Sequence, residues 1–442
     1  ALMADDRLRE LAKAGVTRVR VHYTDLIGTT RAKVIPLDVL QRACEEGLNF
    51  CVSVFAIDHA GVMPDGTGIR DEVNFRDMQV VPDLETLRIV PWERETAICL
   101  ADCRLDGKPL EADPRNILRR AIAAAEDKGL RVSVGHELEF FLLRWTPEGR
   151  LEPYQATPGL VYRMDARTDP VGVVRQMEDN VRGLGLPFVC VNHEYDPSQW
   201  EINTRFADAL TAADEAHLLK LAIKETAAIH GLVATFIGRP TEGGGTSGYH
   251  LHFSAWEGGR NVFDDPQGKL GLSDDAHAFL GGLLAHARGM TAVCAPTVNA
   301  YKRFVAQELG PYFVDWGTDN RSVCVRIPAE RGEAARLESR LADGSASAYL
   351  ASAVHICAGV DGVERRLDPG PPTERVYEPP VERETVPLSL GEALDAFEAD
   401  SFTRAAVGEQ FVQAFVTIKR NEWRRFRLAV TDWELREYAD AL

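Results

Sequence analysis

The sequence predicts an α+β protein of two unequal domains, a small β-rich one followed by a larger one mixing long helices with strands that carry charge. Three observations lead there. At 442 residues the chain exceeds the size to which one hydrophobic core usually grows. The first hundred residues alternate short β-like runs with Gly, Pro and Asp, and this pattern ends at "DGKPLEADPRNILRRAIAAAEDKG", residues 106–129. Beyond it, segments of period-2 patterning hold acids, histidines and arginines, which suits a sheet with a polar face.

In chain order, "VTRVRVHY", "NFCVSVFAI", "LRIVPW" and "TAICLADC" read as strands, and "PLDVLQRACEEG" as the one helix of the first domain. Asp113 is placed to cap the next helix, with Pro114 at its first position, apolar residues at 118, 122 and 125, and Gly129 at its stop. The expected domains are therefore 3–108 and 109–442; Ala1 and Leu2, which precede a methionine, are left out of the fold argument. Strands are expected at "RVSVGHELEFFLL", "SGYHLHFSAW", "SVCVRIP" and "RLESRLAD", with a long helix over 211–230 closed by Gly231. Residues 368–387 contain six prolines and read as a solvated loop, and the tail from Gly408 reads as helical.

Composition narrows the function. Hydrophobic residues at 45% and charged ones at 26% are the mix of an ordinary soluble globular protein. A net charge of −17 repels nucleic-acid phosphates and anionic lipid alike. The longest apolar stretch, "YLASAVHICAGV", is too short to span a membrane. Eight cysteines without a C-x-x-C pair read as reduced thiols of a cytoplasmic protein.

Residues two apart in a strand point to the same face. Glu137 and Glu139 in "VGHELEFFLL" therefore stand together, as do His250 with His252 and Glu338 with Arg340. "NHEYDPSQWEIN" adds Glu194 and Glu201 across a Pro-containing turn. One such pair is compatible with a solvent-facing strand. Several together make a carboxylate-rich site with imidazoles, which suits Mg²⁺ or Mn²⁺ better than structural zinc. Arg303, Arg321, Arg326 and Arg340 accompany the acids. Hard cations with convergent guanidiniums suit phosphoryl transfer from a nucleotide, although arginines taken singly are mostly surface ion-pair partners. "GGGTSG", residues 243–248, matches G-x-G-x-x-G but precedes a strand pattern, so a dinucleotide fold is rejected.

In combination and in order, "VGHELEFFLL", "NHEYDPSQWEIN", "SGYHLHFS", "NAYKRF", "DNRSVCVRIP" and "RLESRLADGSASAYLASAVHICAGVDG" resemble the glutamine synthetase family, bacterial type I, over essentially the whole chain. The C-terminal "FVTIKRNEW" and "VTDWE" resemble the branch that joins glutamate to amines other than ammonia. The resemblance implies a β-grasp-like N-terminal domain, a large catalytic domain, and a homo-oligomer of two stacked hexameric rings with sites shared between subunits. It implies two or three Mg²⁺ or Mn²⁺ ions, one held by Glu139, Glu194 and Glu201 and one by Glu137, His250 and Glu338. It places His252, Ser254, Arg321 and Arg326 on ATP, and Arg303, Arg340, Gly245 and Thr246 on the acid substrate, with Arg321, Arg340 and Glu308 in catalytic roles. The reaction implied is ATP-driven activation of glutamate as an acyl phosphate, then attack by an amine.

The sequence also departs from the family pattern. Cys51 stands at or near an aspartate that helps hold ammonium, Gly245 and Thr246 replace Asn-Gly, and Glu308 is out of register with the flap glutamate. The nucleophile expected is an amine larger than ammonia or less cationic at neutral pH. Competing readings are glutamine synthetase proper, a phosphotransferase acting on nitrogen, and a ring-forming paralogue without turnover.

Overall fold

The computed structural model describes residues 2–442, with side chains from Asp6 onward. Two sheets organise the chain. In the first the order is Thr30–Pro36, Arg18–Thr24, Thr96–Leu105, Asp77–Pro82, Leu48–Cys51. Arg18–Thr24 and Thr96–Leu105 run parallel and the other neighbours in this path antiparallel. The expected helix is present as a 3₁₀ turn, Leu37–Val39, leading into Leu40–Glu46.

Two expectations for this region are corrected. A further helix, Leu2–Lys13, precedes the first strand, its charge masking an inner side that buries Leu11. "NFCVSVFAI" is a strand only to Cys51; Val52–Ala56 is a 3₁₀ helix, in which the fully buried Val52 and Phe55 stand three residues apart, one 3₁₀ turn, rather than two.

The second sheet runs Phe188–His193, Gln199–Thr204, Arg131–Trp145, Tyr249–Glu257, Leu337–Ser339, Val325–Ile327, Trp316–Thr318. Its neighbours are antiparallel except for the last pair. The long Arg131–Trp145 strand is central to it. Helices Pro114–Glu126 and Ala209–Ile229 pack against that strand, and Asp274–Cys294 packs on Ala348–Arg365. The helix starts follow the sequence signals: the Asp113 carboxylate accepts from Arg115 N, and the Asp208 carboxylate from Thr211 N. Gly129 and Gly231 close their helices at φ +80° and +70°, where a side chain would be strained. Residues 368–387 lie outside helix and strand, and the tail folds as Glu409–Leu428 and Asp432–Tyr438.

The apolar core is continuous between the two sheets, running from Val19 and Val21 through Ile98 and Leu100 to Ile117, Leu118 and Leu219. A buried polar knot reinforces the junction. Arg115 pairs with Asp83 and Asp102 of the first sheet region and with Asp214 of the Ala209–Ile229 helix, and Tyr349 Oη donates to Asp214 at 2.7 Å. Arg20 and Trp92 both bond Glu225. Among the described residues no helix is long and apolar enough to cross a membrane.

Candidate active site

Cross-strand register builds the site. Directly opposed residues of antiparallel strands share a sheet face. Glu201 lies opposite both Asn192 and Glu139, so one row crosses three strands. Asn203 lies opposite Cys190 and Glu137, and Glu137 opposite His250, giving a second row. His252, Glu338 and Arg326 form a third. The face bearing Glu137 and Glu139 thus gathers the acids and imidazoles, while Leu138 and Phe140 on the same strand are fully buried.

Glu139, Glu194 and Glu201 each offer a carboxylate oxygen within 4.8 Å of the others. The groups that hold them are neutral. Gln199 Nε2 and Gly248 N donate to Glu139 at 2.9 and 2.7 Å, Asn192 to Glu194 at 2.7 Å, and Asn203 to Glu201 at 2.8 Å. Burial, followed by repulsion from Glu137, Glu139 and Glu194, pushes Glu201 up to about 9, and burial with repulsion from Glu139 raises Glu194. Three acids with no cationic partner fit a divalent cation, and their hard oxygens favour Mg²⁺ or Mn²⁺.

Glu137, His252 and Glu338 form a second group within the same span. The resemblance named His250 in this role. His250 Nδ1 is 3.1 Å from Glu137 Oε2 and 3.5 Å from Glu338 Oε1, whereas His252 Nε2 is 3.1 Å from Glu137 Oε1. Both imidazoles therefore flank Glu137. Arg336 Nε donates to His252 Nδ1 at 3.1 Å, which leaves Nε2 to carry the ring proton and no lone pair for a metal. Burial would raise Glu137, but His252 and His250 outweigh it and hold this acid well below the usual range. Burial is likewise outweighed at Glu338, held at about 2 by Arg340, His250 and His252.

The arginines divide into three kinds. Arg326 and Arg340 donate to Glu338 at 2.7 and 2.6 Å, so at rest they neutralise an acid inside the site. Arg303 is 2% exposed, its head directed at the Arg340 and Leu341 carbonyls with Nε unpartnered. Arg321 is exposed, and no described acid lies within 4 Å of its guanidinium.

The remaining predicted residues are placed as follows. Ser254 is buried two residues past His252 and accepts from Trp256 Nε1 at 2.9 Å. Trp256 stacks on exposed Phe206, with centroids 5.7 Å apart. Gly245 N donates to Asp196, and the Thr246 carbonyl accepts from Gln199 at 3.0 Å, which ties this loop to Glu139. Glu308 pairs with Arg239 at 2.5 Å. Cys51 is exposed at the end of the edge strand Leu48–Cys51 and its thiol donates to Phe75 O at 3.3 Å; no described bond brings it to the acids of its own chain.

Several contributors escaped the sequence reading. A Cβ at Gly248 would come within 2.7 Å of His250 Nε2 and 3.1 Å of Glu139 Oε1, so this glycine lets both groups close over its backbone. Its signal was a glycine directly before the Tyr249–Glu257 strand. Asn192 and Asn203 also left a signal, each standing two residues from a site glutamate, Asn203 along a strand and Asn192 at a strand's end. Arg336, Arg239 and Phe206 left none.

The family model of the glutamine synthetase catalytic domain matches residues 111–438. A glutamine synthetase of Thermotoga maritima is 35% identical over 443 residues, covering 97% of this chain and 98% of that protein. One of Methanosarcina mazei is 34% identical and covers 99% of this chain and 98% of its own. Among solved structures, a GmaS/ADP complex is similar with a TM-score of 0.88 at 34% identity, covering 98% of this chain and 99% of that one. An apo GmaS without ligand reaches 0.86 at 34% identity, with 97% and 98% covered.

Proposed function

The chain belongs to the glutamine synthetase family of ATP-dependent ligases, and we propose that it joins the γ-carboxylate of glutamate to an organic amine in preference to ammonia. The observation that carries this is the loss of a free carboxylate in the segment that would receive ammonium. Cys51 supplies a neutral thiol there. The next acid along the chain, Asp58, is 3% exposed, accepts from Ala60 N and Val62 N, and is paired with Arg425 of the Glu409–Leu428 helix. An ammonium ion gains from a fixed carboxylate that binds it and takes its proton; a bulkier amine gains from the room. That the solved neighbours are called GmaS rather than glutamine synthetase accords with this reading.

In this proposal ATP phosphorylates the glutamate side chain, and the amine displaces phosphate from the acyl phosphate. Bound Mg²⁺ or Mn²⁺ ions, held by Glu139, Glu194 and Glu201 and by Glu137, Glu338 and His250, would neutralise phosphate and carboxylate charge. Exposed Arg321 would swing onto a phosphate, joined by Arg326, which at rest is paired with Glu338 and Asp319. Buried Arg303, with Arg340, presents a desolvated guanidinium to the acid, where its attraction for a carboxylate is strongest. Phe206 and Trp256, next to Ser254, offer a flat aromatic surface for the base.

Residues 3–108 and 109–442 are taken as the domains, and two stacked hexameric rings as the assembly, with exposed Cys51 serving a neighbour's site. The deciding measurement is phosphate release from ATP and glutamate across ammonia, alkylamines, amino alcohols, polyamines and aromatic amines. Ammonia matching the best organic amine in kcat/KM refutes the proposal, and an active monomer in light scattering refutes the shared site.

A further inference from the structure

Arg239 and Glu308 meet at the rim of the site, and their backbones are fixed independently. Asn299 bonds both sides of the Arg239 peptide, its Oδ1 accepting from Arg239 N at 2.7 Å and its Nδ2 donating to Arg239 O at 2.9 Å. The preceding Gly238 is packed on the acid-binding machinery: a Cβ there would lie 2.8 Å from Asp343 Oδ2 and 3.1 Å from Arg303 Cδ. Its carbonyl accepts from Ser247 N at 2.8 Å, next to the glycine that closes over Glu139. Glu308 sits on a tight loop wound on Arg303. Val305 N donates to Arg303 O at 3.1 Å and Glu308 N to Val305 O at 3.3 Å. A Cβ at Gly310 would come within 2.4 Å of that same Arg303 carbonyl.

Both partners thus emerge from segments anchored to Arg303, and the Arg239 head meets the Glu308 carboxylate at 2.5 Å. A carboxylate at the mouth of a ligase site would, if free, attract an ammonium ion and accept its proton. A guanidinium in contact offsets that charge and engages the Glu308 oxygen it meets. We propose that Arg239 is a specificity-determining residue, which neutralises Glu308 and so removes a carboxylate that could serve ammonia at the mouth of this site. The inference rests on the reading that an organic amine is the nucleophile, and it adds a second device to the Cys51 substitution. The class of substrate it favours is a primary amine that reaches the acyl phosphate uncharged, guided by its carbon substituent rather than by an anionic subsite.

The test is the ratio of kcat/KM for ammonia to kcat/KM for the best organic amine, measured on the full-length assembled enzyme. Arg239→Met is expected to raise this ratio about tenfold, the scale of one close charge freed near a surface. The gain should vanish in Arg239→Met/Glu308→Gln, and Arg239→Lys, which keeps the charge, should stay near the native ratio. Size-exclusion profiles accompany each variant, and if Arg239→Met does not assemble, Arg239→Gln carries the same comparison. An unchanged ratio in the uncharged variant overturns the role of Arg239, as does a gain that survives the double substitution or appears equally in Arg239→Lys. Those results leave the native amine preference standing. A native enzyme that prefers ammonia to every organic amine overturns both readings.

Discussion

The two acidic groups of the site lie on one sheet face and are balanced in opposite ways. Glu139, Glu194 and Glu201 are held by amides and a backbone N–H, and burial, with repulsion from Glu137, Glu139 and Glu194 that no paired cation offsets, drives Glu201 up to about 9. In the second group burial is outweighed: His252 and His250 hold Glu137 low, and Arg340 with the two histidines holds Glu338 low. The difference teaches that one half of the site has no cation of its own at rest, whereas in the other half arginines and imidazoles already offset the acids that a second ion would share. Carboxylates packed together are therefore no single kind of evidence: the partners decide whether they form a vacancy in charge or a finished network.

The largest expected effect is removal of divalent cations. Chelation should abolish acyl phosphate formation, and Mg²⁺ or Mn²⁺ should restore it. Glu139→Gln should remain inactive at any concentration of either ion, and turnover in that variant would remove the first acidic group from the mechanism. A sharper contrast comes from stability without metal. Glu338→Gln leaves Arg326 and Arg340 without their buried partner and should destabilise the protein by about 3–5 kcal/mol, the scale for one broken buried pair. Glu201→Gln relieves like-charge crowding and should raise Tm by about 1–3 °C. If both variants melt alike in chelator, the two groups are not balanced differently and the comparison fails.

Gly248→Ala probes the meeting point of the groups, because the new methyl would press on His250 Nε2 and Glu139 Oε1 together. A loss of about 10–100-fold in metal affinity is expected, read by Mn²⁺ titration; an unaltered titration would show that the backbone there can yield. The smallest effect tests the same logic away from the site. His286 Nε2 is 2.8 Å from Asp361 and Nδ1 is 3.2 Å from Asp400, with its ring stacked on Phe402 and Arg365 also on Asp361. Burial opposes its charge, but hydrogen bonds and attraction from Asp400 and Asp361 raise its pKa. The sign follows directly. Its contribution to stability is complete below the unfolded-state value of about 6.5 and is lost as pH rises through the raised folded-state value. His286→Gln should flatten that part of the Tm profile by a few degrees at most. A profile identical to the native one would mean that the imidazole is uncharged between the two aspartates.

What could be read in advance follows the range of the physics. The pairing of Glu137 with Glu139, and of His250 with His252, was legible because alternation in a strand is a local property of two residues. The caps Asp113 and Asp208 belong to the same class, although only the first was singled out. Val52–Ala56 was misread because a short apolar run with Val and Phe satisfies strand and 3₁₀ patterns equally until its neighbours decide. The division of the imidazoles was also hidden. His250 and His252 have the same local pattern, and what sets them apart is the bond that Arg336, just before a neighbouring strand, makes to His252.

The sequence by itself determined the residue types, their faces along each strand, the helix ends, and by resemblance the family. The tertiary structure alone decided which charges are free. Asp58 is engaged by Arg425 across 367 positions, Glu308 by Arg239 across 69, and Arg115 by Asp214 across 99. No pattern of neighbours along the chain encodes such pairings, because each depends on two segments being brought within about 3 Å of each other, where a charge interaction becomes specific. The amine preference proposed for this protein lies in that second category: it turns on carboxylates whose presence the sequence reveals and whose availability only the fold sets.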